Sequence, residues 1–351
     1  MAVVLPSPAP RPERPKEYVL DNGWVQWVAE NRLRDCSPES MVETMVNAGQ
    51  DRHNCELAVA AIEHDPVFIA ARRHQQLLRK LESVVSNLQS LWQSDPHYMQ
   101  IEKRESIGRD EFVERYVRGC RPVVITGIAK DWPAMQRWTP ALLKERFGHL
   151  DVEIQAERDS DPQYEQNKLL HRRVARFGPF IDKVLAGGPT NDYYMTANNE
   201  VLRRPEFAPL LDDVGSLPDW CDRPALARSS SFWFGPAGTL TPLHHDTLML
   251  LHTQVVGRKR WRFVSPLQTP RVYNFFSVFS PVDVEQPDLA RYPAFADAKV
   301  LEVVVEPGET LFLPLAWWHQ VTSLDLSVSL SYTNLRVPNE FSFFDPDIRN
   351  W

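Results

Sequence analysis

The chain has 351 residues, of which 43% are hydrophobic and 24% charged, the make-up of a globular protein with a full core. A net charge of −7 disfavours a nucleic-acid partner, although a sum over the whole chain leaves room for a local basic groove. Cys36, Cys55, Cys120 and Cys221 form no CxxC pair, so they read as reduced thiols and not as a disulfide frame or a zinc site.

The opening "MAVVLPSPAPRPERPKEY" is broken by prolines and charges, so it does not read as a signal peptide. Residues 1–16 are expected to be disordered. No apolar run reaches the length of a membrane span, and the expected location is cytoplasmic. Residues 17–95 read as a helical N-terminal domain. "SPESMVETMVNAG" has Ser37 or Ser40 as N-cap and Gly49 as a stop, and "DRHNCELAVAAIEHD" predicts a second helix. "PVFIAARRHQQLLRKLESVVSNLQSLWQ" predicts a long third one, with Pro66 in its first turn and leucines and valines at helical spacing. Its "RRHQQLLRK" segment reads either as a solvated basic face or as a docking surface for a partner or a second copy.

A second domain is expected over 101–340. "RPVVITGI" (121–128) reads as a buried strand, "TPALLKERFG" as a capped helix ending at Gly148, and "DVEIQAE" as an alternating strand. From about residue 229 short strands follow one another: "SSFWFG", "LMLLHTQVVG", "KRWRFVSP", "VLEVVVEPGE", "TLFLPLAWWHQVTS" and "LSVSLSYTN". That pattern predicts a β sandwich or barrel, hence an α+β chain. No GxGxxG, P-loop or GxSxG is present, so nucleotide-binding and α/β-hydrolase readings lose their usual support. The tail "FSFFDPDIRNW" (341–351) reads as a segment packed on its own barrel or as an interface.

The chemistry concentrates in "TPLHHD" (241–246). On a strand, residues two apart share a face, so His244 and Asp246 point together and His245 points away. A lone H-x-D is commonly a polar strand end. Here "PGETLFLPLAWWHQV" follows, and a histidine beside two tryptophans is costly to bury without a partner, so His319 reads as a third ligand. Two histidines and one carboxylate suit octahedral iron(II) with open positions, whereas zinc prefers a tetrahedral site. "VVGRKRWRF" supplies cations after Gly257. By alternation from His244, Lys259 falls on the wrong face, but the glycine and a turn can reset the register, so parity decides nothing.

These residues, with "EFVERYVRGCRPVVITGIAKDWPAMQRW", "FWFGPAGTLTPLHHDTLMLLHTQVVGRKRWRFVSP" and "GETLFLPLAWWHQV", make residues 101–335 resemble the JmjC, or cupin-like, Fe(II)- and 2-oxoglutarate-dependent oxygenases. The likeness is strongest to the small JmjC protein hydroxylases. It implies a double-stranded β-helix (jelly-roll) core with Fe(II), 2-oxoglutarate and O₂ as cofactor and co-substrates. The implied iron ligands and catalytic residues are His244, Asp246 and His319. The implied 2-oxoglutarate residues are Lys259, Thr241, Tyr194 (with Tyr193 as the alternative) and Ser329. Many relatives have Asn six residues after the first ligand, where this chain has Leu250, and His252 or Asn198 is a candidate replacement. Phe232, Trp233, Phe234, Trp261, Trp317 and Trp318 read as shielding or as plain core. The implied reaction is hydroxylation of a C–H bond, first on a protein or peptide side chain. N-methyl-lysine demethylation, a small-molecule or nucleoside substrate, and a non-enzymatic metal-binding cupin are the alternatives. Membrane and nucleic-acid partners are not expected, and a homodimer is left open.

Overall fold

The computed structural model describes residues 18–197, 199–274 and 277–339. The expected disorder of residues 1–16, the candidate Asn198 and the tail 341–351 lie outside them. The chain divides into two compact units, Met1–Asn87 and Leu88–Trp351.

The first unit holds α1 (Asn22–Leu33), α2 (Pro38–Asn47), α3 (Arg52–Ile62) and most of α4 (Pro66–Gln93). Side-chain caps start the first three. Asp21 accepts from Trp24 N at 2.9 Å, Ser37 from Ser40 N at 3.2 Å and Asp51 from Asn54 N at 2.9 Å, each satisfying an orphan donor of the first turn. Of the two serines, Ser37 is therefore the cap and Ser40 its donor. Gly49, at φ +90°, lets the chain leave α2 through a left-handed turn. Val28, Met41, Met45, Cys55, Val59, Ile62 and Phe68 form this unit's core.

The second unit is built on strands β1 (Glu102–Arg104), β2 (Val123–Ile125), β3 (Asp151–Gln155), β4 (Arg172–Arg176), β5 (Ser230–Gly235), β6 (Leu240–His244), β7 (Leu250–Val256), β8 (Lys259–Val264), β9 (Val300–Val305), β10 (Thr310–Leu313), β11 (Trp318–Ser323) and β12 (Ser327–Tyr332). One sheet has the order β1-β2-β10-β7-β12-β5 and a second β6-β11-β8-β9, while β3 and β4 pair separately. Among the described strands only the β1–β2 pair is parallel. Together with the family assignment below, this is the expected α+β architecture with a jelly-roll core. The four cysteines are free. Among the described residues no helix is long and apolar enough to cross a membrane.

Of the short connections that carry the chain from one sheet to the other, two matter most for the site. The run "TLFLPLAWWHQVTS" breaks at 314–317, so β10 and β11 belong to different sheets. Ala316 occupies the left-handed region there, at φ +61°. Gly257, at φ +70°, makes the turn from β7 into β8. A β-carbon at Gly257 would lie 2.1 Å from the Leu326 carbonyl oxygen, so both the φ and the close approach demand glycine. This change of sheet resets the alternation and leaves Lys259, Trp261 and Phe263 buried on one face of β8.

Gly257→Ala is expected to lower unfolding free energy by about 1–3 kcal/mol, since a left-handed non-glycine residue meets a backbone clash. Urea denaturation of the purified protein measures it, and an unchanged midpoint would show that the β7–β8 turn tolerates a side chain.

Candidate active site

His244 ends β6, and His319 stands directly across from it on β11 in antiparallel register. Their ring centroids are 4.1 Å apart. Each Nδ1–H donates to a carbonyl two residues back, His244 to Pro242 O at 2.8 Å and His319 to Trp317 O at 2.9 Å. A carbonyl only accepts, so both rings are fixed with the lone pair on Nε2, the arrangement metal-binding histidines use. Asp246 lies beyond the end of β6, and its carbonyl accepts from Ala316 N at 3.2 Å, which ties the β6 end to the strained turn before β11.

The Asp246 carboxylate oxygens stand 4.0 Å from His244 Nε2 and 3.9 Å from His319 Nε2. Those separations exceed a hydrogen bond, so the three groups converge without satisfying one another. All three ligand atoms lie within 4.8 Å of each other. Burial pushes the Asp246 carboxyl above its ordinary range, and burial next to His244 pushes His319 well below its own. Both shifts describe charge that a divalent cation would restore to the carboxylate while leaving the imidazoles neutral. Two neutral imidazole nitrogens and one carboxylate are a donor set that fits iron(II). His245 faces elsewhere: it is buried edge-on against Trp318, with ring centroids 4.7 Å apart.

The three groups share a cavity of about 530 Å³ with Thr241, Tyr194, Lys259 and Leu250. Lys259 is 2% exposed. Its ammonium donates to Tyr194 Oη at 2.9 Å and Ser329 Oγ at 3.0 Å and lies 5.2 Å over the Trp233 ring. Among the described residues it pairs with no carboxylate. Burial alone drives its pKa down to about 7. Tyr194 reaches it because Gly235 leaves room: a β-carbon there would lie 2.5 Å from the tyrosine ring. Tyr193 is directed elsewhere, under the Lys183 ammonium at 3.9 Å, and does not line the cavity. Ser329 is fully buried and acts on Lys259 without lining the cavity itself. Thr241 lines the cavity, and its hydroxyl has no hydrogen bond among the described residues.

Leu250 and His252 are both in the wall. His252 is kept neutral by burial and by Lys259, and its Nε2 has no hydrogen-bond partner, nor has Trp261 Nε1. The two rings meet edge to face at 4.9 Å. Of the aromatic residues expected to shield the site, Trp233 and Trp261 line the cavity, while Phe232, Phe234, Trp317 and Trp318 are core. Sequence reasoning missed three residues beside the site: Glu165 and Lys168 line the cavity, and Arg158 touches Tyr194. Arg158, 1% exposed, pairs with Glu165 at 3.0 Å and lies 5.4 Å over the Tyr194 ring. Lys168 donates to Ala197 O at 3.1 Å, and burial lowers its pKa. All three come from the 156–171 connection, which has no periodic pattern to betray them.

Residues 109–333 match the cupin-like domain. The chain belongs to this family. The matched interval falls inside the 101–335 stretch singled out by its motifs. Among curated cupin-like relatives, lysine-specific demethylase 8 of Xenopus tropicalis is 32% identical over 234 residues, covering 64% of this chain and 50% of that protein. Lysine-specific demethylase JMJ30 of Arabidopsis thaliana is 31% identical over 245 residues, 66% of this chain and 54% of the relative. tRNA wybutosine-synthesizing protein 5 of Gallus gallus is 27% identical over 254 residues, 69% and 79% respectively. The chain thus spans about half the length of the two demethylases. The JmjC resemblance read from the motifs agrees with these relatives.

The site predicts an asymmetry between neighbouring histidines. His244→Ala is expected to weaken divalent-metal affinity by more than the roughly 10–100-fold that loss of an outer-shell partner costs. His245→Ala is expected to leave affinity nearly unchanged while lowering thermal stability, because it empties a buried contact with Trp318. Titration with Mn(II) followed by electron paramagnetic resonance measures both, and equal losses of affinity would overturn the register.

Proposed function

We propose that this chain is an Fe(II)- and 2-oxoglutarate-dependent oxygenase that hydroxylates a C–H bond of a protein or peptide side chain. One observation carries the reading: an ammonium without a carboxylate partner, Lys259, is sealed into the same cavity as three convergent metal-type ligands. A buried unpaired charge costs several kcal/mol, and a dicarboxylate co-substrate is the group that offsets it. His244, Asp246 and His319 are the residues that would hold the iron.

Iron(II), when bound, would couple decarboxylation of 2-oxoglutarate to oxidation of the substrate, with one atom of O₂ ending in succinate and the other in the hydroxylated product. The chain's own residues do the positioning. Lys259 and Tyr194 take the distal carboxylate by charge-assisted hydrogen bonds, Thr241 adds a hydroxyl, and Ser329 fixes the ammonium from behind. Leu250 offers no hydrogen bond to the co-substrate, and the unpartnered ring nitrogens of His252 and Trp261 supply polar atoms in its wall. Trp233 and Trp261 keep bulk water from the inner end. The outer end carries Glu165, Lys168, Glu200, Arg203 and Arg228, charges of both signs that suit a polar side chain on a peptide. Demethylation is the same oxidation on an N-methyl carbon, and two relatives bear demethylase names.

Purified protein with Fe(II) is expected to form succinate from 2-oxoglutarate, slowly even without a second substrate, and Lys259→Met is expected to lose this. Mass spectrometry of peptides after incubation separates the readings: a gained oxygen means hydroxylation, a lost methylene means demethylation, and change confined to small molecules removes the protein substrate. Metal binding with no turnover under any condition would leave a metal-binding cupin instead.

Proton linkage provides a further check. In the free protein burial depresses Lys259 from 10.5 to about 7, so above that pH the lysine is largely neutral. A bound carboxylate favours the charged form, so binding takes up a proton and affinity falls as pH rises above 7. Calorimetry at pH 8.5 in buffers of different ionisation enthalpy is expected to show uptake of close to one proton, absent in Lys259→Met; no uptake in the wild type would mean that the carboxylate does not meet Lys259.

A further inference from the structure

The helix α4 (Pro66–Gln93) is 28 residues long, about 42 Å at the usual rise. Its buried positions include Phe68 and Gln89. Another face of the helix carries an apolar line that no described residue covers: Leu77, Leu81, Val84, Leu88 and Leu91 are each 44–67% exposed. Their spacing alternates four and three, which is the a/d repeat of a coiled coil. Val67, Ala70 and His74 extend the same alternation toward the N-terminus. A continuous apolar line of this kind on a folded surface marks an interaction site.

We propose that this seam pairs, antiparallel, with α4 of a second copy of the chain. Two features select that occupant. The seam is symmetric about the point between Glu82 and Ser83: Leu81 mirrors Val84, Leu77 mirrors Leu88 and His74 mirrors Leu91. A two-fold axis through that point sets each residue on its mirror position in the second copy, so the patch is complementary to itself, as an isologous interface requires. The charge distribution fixes the direction. Arg72, Arg73, Arg79 and Lys80 all lie before the midpoint, and no lysine or arginine lies between 81 and 93. Arg73 and Lys80 make no ion pair among the described residues. Parallel helices would place the two cationic halves side by side, whereas antiparallel helices place each against an uncharged half.

Analytical ultracentrifugation of the full chain across a concentration series tests this. The wild type is expected to sediment as a dimer, and the double variant Leu81→Glu, Leu88→Glu as a monomer with unchanged helix content, since both side chains are exposed within a single copy. Direction is tested by oxidative cross-linking located by mass spectrometry. Leu77→Cys mixed with Leu88→Cys is expected to give a 77–88 cross-link that neither variant forms with itself. A wild type that stays monomeric at ~100 μM, well above a micromolar dissociation constant, would overturn the proposal, as would a dimer that survives the double substitution. A 77–77 cross-link would overturn the antiparallel pairing.

Discussion

A lysine ammonium closed off from water is the constraint around which the catalytic unit is arranged. Lys259 has two neutral hydroxyls and two aromatic faces for company and, among the described residues, no carboxylate. These contacts support the charge without neutralising it, and its pKa falls to about 7. Such a group is a poor contributor to folding and a good anchor for an arriving anion. Much nearby structure serves to hold it: Gly257 turns the chain so that Lys259 faces inward, Gly235 admits the Tyr194 ring, and Arg158 lies over that ring. Lys259 is a point where the folded chain is unfavourable, and it coincides with the cavity.

The metal-type site is assembled by different means. Antiparallel pairing of β6 and β11 brings His244 and His319 face to face, and the backbone carbonyls of Pro242 and Trp317 choose their tautomers. Neither device depends on a remote side chain, so the pair is as rigid as the sheet that carries it. Asp246 is held by a turn-to-turn hydrogen bond to Ala316. The cavity therefore has the two histidines on β6 and β11 and the ammonium on β8, the next strand of the same sheet, so one sheet carries both groups that a chelating dicarboxylate needs.

Much of this was legible in the chain itself. The strand pattern after residue 229 announced the β core, the cap and proline of "SPES" announced α2, and Pro66 with the leucine and valine spacing announced α4. The H-x-D spacing paired His244 with Asp246, although for a different reason from strand alternation: β6 ends at His244 and a turn places the acid. What was not legible depends on tertiary geometry. Alternation left the face of Lys259 undecided because a change of sheet intervenes at Gly257. "TLFLPLAWWHQVTS" read as one run because nothing local marks the transfer between sheets at Ala316. Ser329, expected near the co-substrate, is buried against the Lys259 ammonium and does not line the cavity. Glu165 and Lys168 approach the cavity from a connection whose sequence has no period.

The central claim is that one cavity holds a divalent metal and a dicarboxylate at the same time, each on its own set of residues. The most direct measurement is an anaerobic titration of Fe(II)-loaded protein with 2-oxoglutarate, following the visible charge-transfer absorption that a 2-oxo acid gives when it chelates iron. The account predicts a saturable band in the wild type, lost in His244→Ala and shifted to much higher 2-oxoglutarate concentration in Lys259→Met. Iron bound without any band, or a band indifferent to Lys259, would contradict it.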